Sequence, residues 1–251
     1  MELRGKVAIV TGASRGMGSH IAHALAEAGV RLCLVARASN RLKEVADQIN
    51  TAGGEATIYP TDIRSAEQVE RMVQATLARH GRIDILVNCA FWGPPASIED
   101  TTEDFWDQTI DTTLKGPFLC IRAVVPAMKK NGGGRIVNIG SLAGKVGEDN
   151  RTAYCAAKWG LEGLTAALRE ELTRYNIHVH LISPAATDTP WWREVGASLT
   201  PQTLERMVPS QVIAQAVRWV LSQPEQVHIP DLPIYNFRNP FEGKKSPFEA
   251  S

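Results

Sequence analysis

Short apolar runs alternate with longer amphipathic stretches along most of this chain. The runs are Val7–Thr11, Arg31–Ala36, Ala56–Tyr59, Ile83–Asn88, Arg135–Ile139 and Ile177–Ser183, each rich in Val, Ile or Leu. Continuous apolar runs of this length mark strands buried on both faces, the habit of a parallel sheet. Between them, helical periodicity covers Gly16–Ala28, Arg41–Ala52, Ala66–His80, Glu103–Met128, Thr152–Tyr175 and Gln211–Leu221. Helices that join parallel strands are right-handed crossovers, so the pattern predicts an α/β fold: one doubly wound parallel sheet with helices on both faces.

The pattern stops after Leu221. Pro224, Pro230, Pro233, Pro240 and Pro247 leave room for one short edge strand near Leu232–Tyr235, giving about seven strands in all. Residues 236–251 then form a polar C-terminal tail, either a disordered end, the simpler reading, or an arm docking on another surface. No repeat or linker interrupts the chain, which reads as a single domain over residues 1–251.

Composition narrows the function. A chain of 251 residues with 44% hydrophobic content builds its core without disulfides or a metal. Its 27 Lys and Arg balance 27 Asp and Glu, with no run as long as about five like charges, so neither nucleic acid nor an anionic membrane is an expected partner. The N-terminus carries Glu2 and lacks a long apolar segment, which predicts neither a signal peptide nor a membrane span. Cys33, Cys89, Cys120 and Cys155 are widely spaced with apolar neighbours and read as reduced thiols, which suits the cytoplasm. His178 and His180 form an i, i+2 pair with no third ligand nearby in sequence, so no metal site is expected.

The first run ends in Thr11-Gly12-Ala13-Ser14-Arg15-Gly16-Met17-Gly18 and passes directly into a helix. Backbone approaches a pyrophosphate closely only where side chains are absent, and a helix N-terminus offers free N–H groups and a positive dipole. A glycine turn between a buried strand and a helix thus predicts a Rossmann-like dinucleotide site. A second constellation is Tyr154-Cys155-Ala156-Ala157-Lys158, whose Tyr and Lys share one helix face. An ammonium near a phenol lowers a pKa that is otherwise about 10, which makes the pair a tuned acid/base.

Together the TGxxxGxG and YxxxK motifs resemble the short-chain dehydrogenase/reductase family, over about Lys6 to Thr189. The resemblance implies an oxidoreductase that transfers hydride between a nicotinamide and a carbonyl or secondary alcohol carbon. It makes Tyr154 the general acid/base, Lys158 its tuning cation and ribose holder, and Ser141 the group that fixes the substrate oxygen. It places Gly12, Ser14, Gly16, Met17 and Gly18 at the diphosphate, Asp62 and Ile63 at the adenine, and Asn88 and Ala90 beside the ribose. Pro184, Thr187 and Thr189 fall in the loop expected at the carboxamide.

Charge selects the cofactor. The second strand ends Ala36-Arg37 with no acid for a ribose 2′-hydroxyl, and Arg15 adds a second cation, so NADP(H) is expected over NAD(H). The family's Asn on the fourth helix is here Thr113, which a water relay could still use. Phe91 stands where Gly is usual. Phe91-Trp92 and Trp191-Trp192 follow strand ends, where ligands bind in such sheets. With Ser141 and Leu142 they predict a pocket for a bulky or aromatic ketone, as in a carbonyl reductase or alcohol dehydrogenase, under a lid at residues 188–210. The aromatic pairs also suit a core or an oligomer interface. Small residues on several sides of Thr152–Tyr175 suit a homo-oligomer, a dimer or homotetramer. The departures at Thr113 and Phe91 leave a second reading open: a dinucleotide-binding regulator or scaffold with weakened catalysis.

Overall fold

The computed structural model describes residues 2–242 of the chain. Its elements, in order, are β1 (Val7–Thr11), α1 (Gly16–Glu27), β2 (Arg31–Ala36), α2 (Ser39–Thr51), β3 (Glu55–Pro60) and α3 (Ala66–His80). Next come β4 (Ile85–Asn88), α4 (Glu103–Ile110), α5 (Gly116–Lys130), β5 (Gly134–Ile139), α6 (Thr152–Leu172) and β6 (Ile177–Pro184). The last are β7 (Thr187–Asp188), α7 (Trp191–Glu194), α8 (Pro201–Arg206), β8 (Val208–Pro209), α9 (Ser210–Ser222) and β9 (Asp231–Ile234).

Seven of these strands form one parallel sheet in the order β3-β2-β1-β4-β5-β6-β9. Successive side chains of β1 serve opposite cores. Ala8 and Val10 pack with Ile21 and Leu25 of α1, Leu42 of α2 and Val217 of α9. Val7 and Ile9 pack with Val73 of α3, Val124 of α5 and Leu172 of α6. Burying each large aliphatic side chain contributes about 1.5–3 kcal/mol, and burial on both faces is why the strands read as unbroken apolar runs. All four cysteines are free and buried: Cys33, Cys89 and Cys120 lie in these layers, and Cys155 lies in a small separate cluster with Ala143 and Tyr154.

Most boundaries shift by one to three residues from the sequence expectation, and two differences have a clear local cause. β4 starts at Ile85 because Asp84 just before it turns its carboxylate to accept from the Val7 N–H at 2.9 Å and to pair with Arg82 and Lys6. The helix expected over Glu103–Met128 is broken at Asp111–Lys115 by a π-helical turn, which carries Thr113. Such turns are frequent at functional sites.

The order of strands reverses between β1 and β4, and that switch point opens a crevice at the carboxyl ends of the strands. The glycine turn, Cys89 to Phe91, Ser141 and Ala185 all follow strands at this end. Among the described residues, no helix is long and apolar enough to cross a membrane. Of the tail expected at 236–251, residues 243–251 lie outside the described residues. The described part is docked: the Asn236 side-chain amide donates to the carbonyls of Ala186 and Arg206 at 2.9 and 3.1 Å.

Candidate active site and relatives

Two adjoining cavities occupy the crevice. The first is a groove of about 720 Å³ that follows the glycine turn. Gly12 and Gly18 are dictated by space. A Cβ on Gly12 would lie 2.9 Å from the Ala90 backbone, and one on Gly18 would overlap the Gly12 carbonyl. No side chain caps α1, so its first N–H groups face the groove unpaired with any side chain, as a diphosphate requires. Ser14, Gly16 and Met17 line the same wall.

Farther along, Arg15, Arg37 and Arg41 gather at one end of the groove. Burial and the two neighbouring guanidiniums push the Arg15 pKa down. Its charge is answered by Glu194 of α7, which forms an ion pair with Arg15 and approaches Arg41 at 3.8 Å. Asp62, Ile63 and Ala90 line the same groove. The Arg64 fork holds the Asp62 carboxyl below the usual carboxylate range. The groove thus fits a dinucleotide with an extra phosphate at the arginine end.

The second cavity, about 400 Å³, adjoins the first, and Met17, Phe91, Thr189 and Trp191 line both. Ser141, Leu142, Tyr154, Pro184, Thr187 and Trp192 complete the expected part of its wall. Phe91 meets Tyr154 edge-on, with ring centroids 6.0 Å apart, and Trp191 at 5.7 Å. Tyr154 is 8% exposed, and the Ser141 hydroxyl, which accepts from the Ala143 N–H at 3.1 Å, lines the same cavity. Burial pushes its phenol up to about 12, against the pull of the Arg151 guanidinium and the Ser141 hydroxyl. Gly93 is the other determinant of this geometry, since a Cβ there would lie 2.6 Å from Tyr154 Cδ2.

Four expected site residues stand elsewhere. Lys158 reaches neither cavity: its ammonium donates to the Ile139 carbonyl at 2.7 Å, with the Phe91 and Tyr154 rings 5.7 and 5.6 Å away. Burial pushes its pKa down to about 8. The cation nearest the Tyr154 ring is Arg151, at 4.2 Å from the ring centroid. Thr113 has its hydroxyl taken up by the backbone of Trp92, donating to the carbonyl at 2.7 Å and accepting from the N–H at 3.0 Å. Trp92 itself packs on Phe105 of α4 with centroids 4.8 Å apart, because consecutive residues leave opposite sides of an extended segment and Phe91 takes the cavity side. Asn88 bonds sideways to Asn138 within the sheet at 2.9 Å and lines neither cavity.

Sequence reasoning passed over several wall residues. Arg151, Glu148, Asn236, Asn239 and Phe241 line the second cavity, and Arg41, Arg64 and Glu194 line the groove. Only Arg151 left a local signal, one helical turn before Tyr154. His228 also comes beside His178 and His180, with ring centroids 5.0–5.5 Å away, a cluster at the other end of β6 that sequence spacing hid. Among the described residues, no group of three His, Cys, Asp or Glu side chains is arranged to hold a metal.

Comparison with known proteins agrees with this geometry. The family described as short chain dehydrogenase matches residues 6–199. An uncharacterized oxidoreductase of Thermotoga maritima is 37% identical over 213 residues, covering 84% of each chain. A metagenomic short-chain oxidoreductase solved in complex with NADP superposes with a TM-score of 0.83 at 34% identity, covering 95% of this chain and all of that one. An alcohol dehydrogenase of the archaeon Thermococcus sibiricus, complexed with 5-hydroxy-NADP, gives 0.85 at 28% identity, over 92% and 97% of the two chains. With its glycine turn, its Ser141–Tyr154 pair and its parallel sheet, this chain belongs to the short-chain dehydrogenase family and is an oxidoreductase.

Proposed function

We propose that this oxidoreductase uses NADP(H), in preference to NAD(H), to interconvert a bulky or aromatic ketone and its secondary alcohol. The observation that carries the reading is that Ser141 and Tyr154 line one aromatic cavity, which adjoins an arginine-ended groove. When bound, the nicotinamide supplies or accepts the hydride. The glycine turn and the α1 N-terminus hold the diphosphate, and Arg15, Arg37 and Arg41 hold the 2′-phosphate. The two NADP-type complexes among its structural relatives support that assignment.

Tyr154 donates its proton to the carbonyl oxygen as Ser141 O–H orients that oxygen. A phenol raised to about 12 is protonated at neutral pH and so stands ready as the proton donor. Lys158 acts from behind, as a fixed charge near the Tyr154 ring, and Thr113 fixes the Phe91–Trp92 segment in place of a water relay. Residues 188–210 form the lid, with Trp191 and Trp192 as its inner face. The exposed rings of Trp106, Phe118 and Trp159 suit association of copies through α4, α5 and α6.

The test is nicotinamide absorbance with a panel of aromatic ketones. NADPH consumption is expected, with Tyr154→Phe slowing turnover by roughly 100-fold or more. An unchanged rate in that variant overturns the assignment. A second reading, a regulator that binds the dinucleotide without turning it over, draws on the engaged hydroxyl of Thr113 and the withdrawn Lys158. It predicts cofactor binding with no consumption across the panel.

A further inference from the structure

Arg151, just before α6, is the only cation on the wall of the aromatic cavity among the described residues. Its side chain is 7% exposed, and its Nε has no hydrogen-bond partner. The nearest carboxylate is Glu148, at 4.0 Å from a terminal guanidinium nitrogen and outside hydrogen-bonding distance. What the guanidinium does have is two aromatic faces: its carbon lies 4.2 Å from the Tyr154 ring centroid and 5.1 Å from that of Trp191. Ring faces stabilise the charge but leave the in-plane N–H donors unused.

A buried cation with unused donors is costly to maintain in a low-dielectric site. Glu148 is 39% exposed and Asp149 is exposed too, so water screens both, whereas the guanidinium is shielded from it. A ligand carboxylate in the cavity would meet a planar fork whose geometry matches its own. The same ligand would lie against Trp191 and within the chamber that holds Ser141 and Tyr154.

We propose that the substrate is an aromatic carbonyl compound bearing a carboxylate, and that Arg151 is the residue that recognises it. The proposal rests on the carbonyl-reducing reading above and names the substrate class of that site. Arg151 also acts on Tyr154 electrostatically, but that influence is common to every substrate. Recognition of a carboxylate shows only in the comparison between an acid and its neutral counterpart.

The experiment compares 4-acetylbenzoate and benzoylformate with their methyl esters, using the full chain and NADPH. In the wild type, the acid is expected to exceed its ester in kcat/KM by about tenfold or more for at least one pair, and Arg151→Met to bring that ratio to about one. Arg151→Lys, which keeps charge without the fork, is expected between them. In parallel, tryptophan fluorescence reads benzoate and benzamide binding to the NADP-loaded protein, and benzoate is expected to bind about tenfold tighter. Esters reduced as well as acids, with benzoate binding no tighter than benzamide, overturn the proposal while leaving carbonyl reduction standing. If no carbonyl compound is reduced, the oxidoreductase substrate assignment fails, and the wild-type binding comparison alone still decides the carboxylate site, whether or not the variants fold.

Discussion

Glu194 closes an ion pair with Arg15 across the arginine end of the cofactor groove. The carboxylate belongs to α7, within the segment between β7 and β8, so one side chain links that segment to the arginine end of the groove. A 2′-phosphate bound there as proposed would compete with Glu194 for the same guanidiniums. Glu194→Gln is therefore expected to tighten NADPH binding by roughly three- to tenfold, with little change for NADH, read by nicotinamide fluorescence titration. Equal effects on both dinucleotides would show that Arg15 does not meet the extra phosphate.

Gly93 is fixed by contact rather than by backbone strain. A methyl group there falls 2.6 Å from Tyr154 Cδ2 and 3.1 Å from its Cβ. Gly93→Ala is expected to displace the phenol and lower kcat by about 10–100-fold, while thermal unfolding shifts modestly. Wild-type turnover in this variant would mean that the ring has freedom to retreat.

Lys158 sits in a position that opposes stability. Its folded pKa is about 8, below the usual lysine value of about 10.4, so below pH 8 the folded chain carries the charge at a desolvation cost that the unfolded chain does not bear. The penalty declines as pH rises, because between these values the unfolded chain binds the extra proton. Lys158→Met loses the hydrogen bond to Ile139 yet is expected to be more stable by roughly 1–2 kcal/mol at pH 7, with the advantage shrinking toward pH 10. Turnover is expected to fall steeply in the same variant, so denaturant unfolding and activity move in opposite directions.

Acid sensitivity should begin above the carboxylate range. His180 is fully buried and bonded at Nδ1 to the Ile229 carbonyl, and burial pushes its pKa down to about 3. Unfolded, the imidazole takes up a proton as pH falls through about 6.5. Stability is thus complete above that value and is lost progressively below it, toward the folded pKa. Between pH 6 and 5 the slope expected from this group approaches 1.4 kcal/mol per pH unit. His180→Asn retains a donor for Ile229 and should remove about one proton from the slope of denaturant stability against pH.

The central strands were readable because burial on both faces leaves no polar position to blur them, as in Leu32 to Val35. β9 was readable by its opposite character: Pro233 fits an edge, where a missing N–H is tolerated. The paired two-residue strands β7 and β8 were not readable, since each is too short to show a period and exists only through the other. At the site, glycine and tyrosine motifs mark themselves by spacing, whereas Arg151 and Glu194 take their meaning from partners brought by other elements. Phe91 and Trp92 show the same boundary most simply. Adjacent rings of like chemistry were both assigned to the pocket, and only the direction of the extended segment separates them.

Phe241 packs on Trp192 with ring centroids 5.3 Å apart, and with Asn239 and Pro240 it forms the outer wall of the aromatic chamber. That wall follows β9 and belongs to none of the sheet's crossovers. Replacing it disturbs no strand pairing, so under the proposed function the chamber can be reshaped, and its preference for one ligand over another can drift or be grafted, without moving Ser141 or Tyr154.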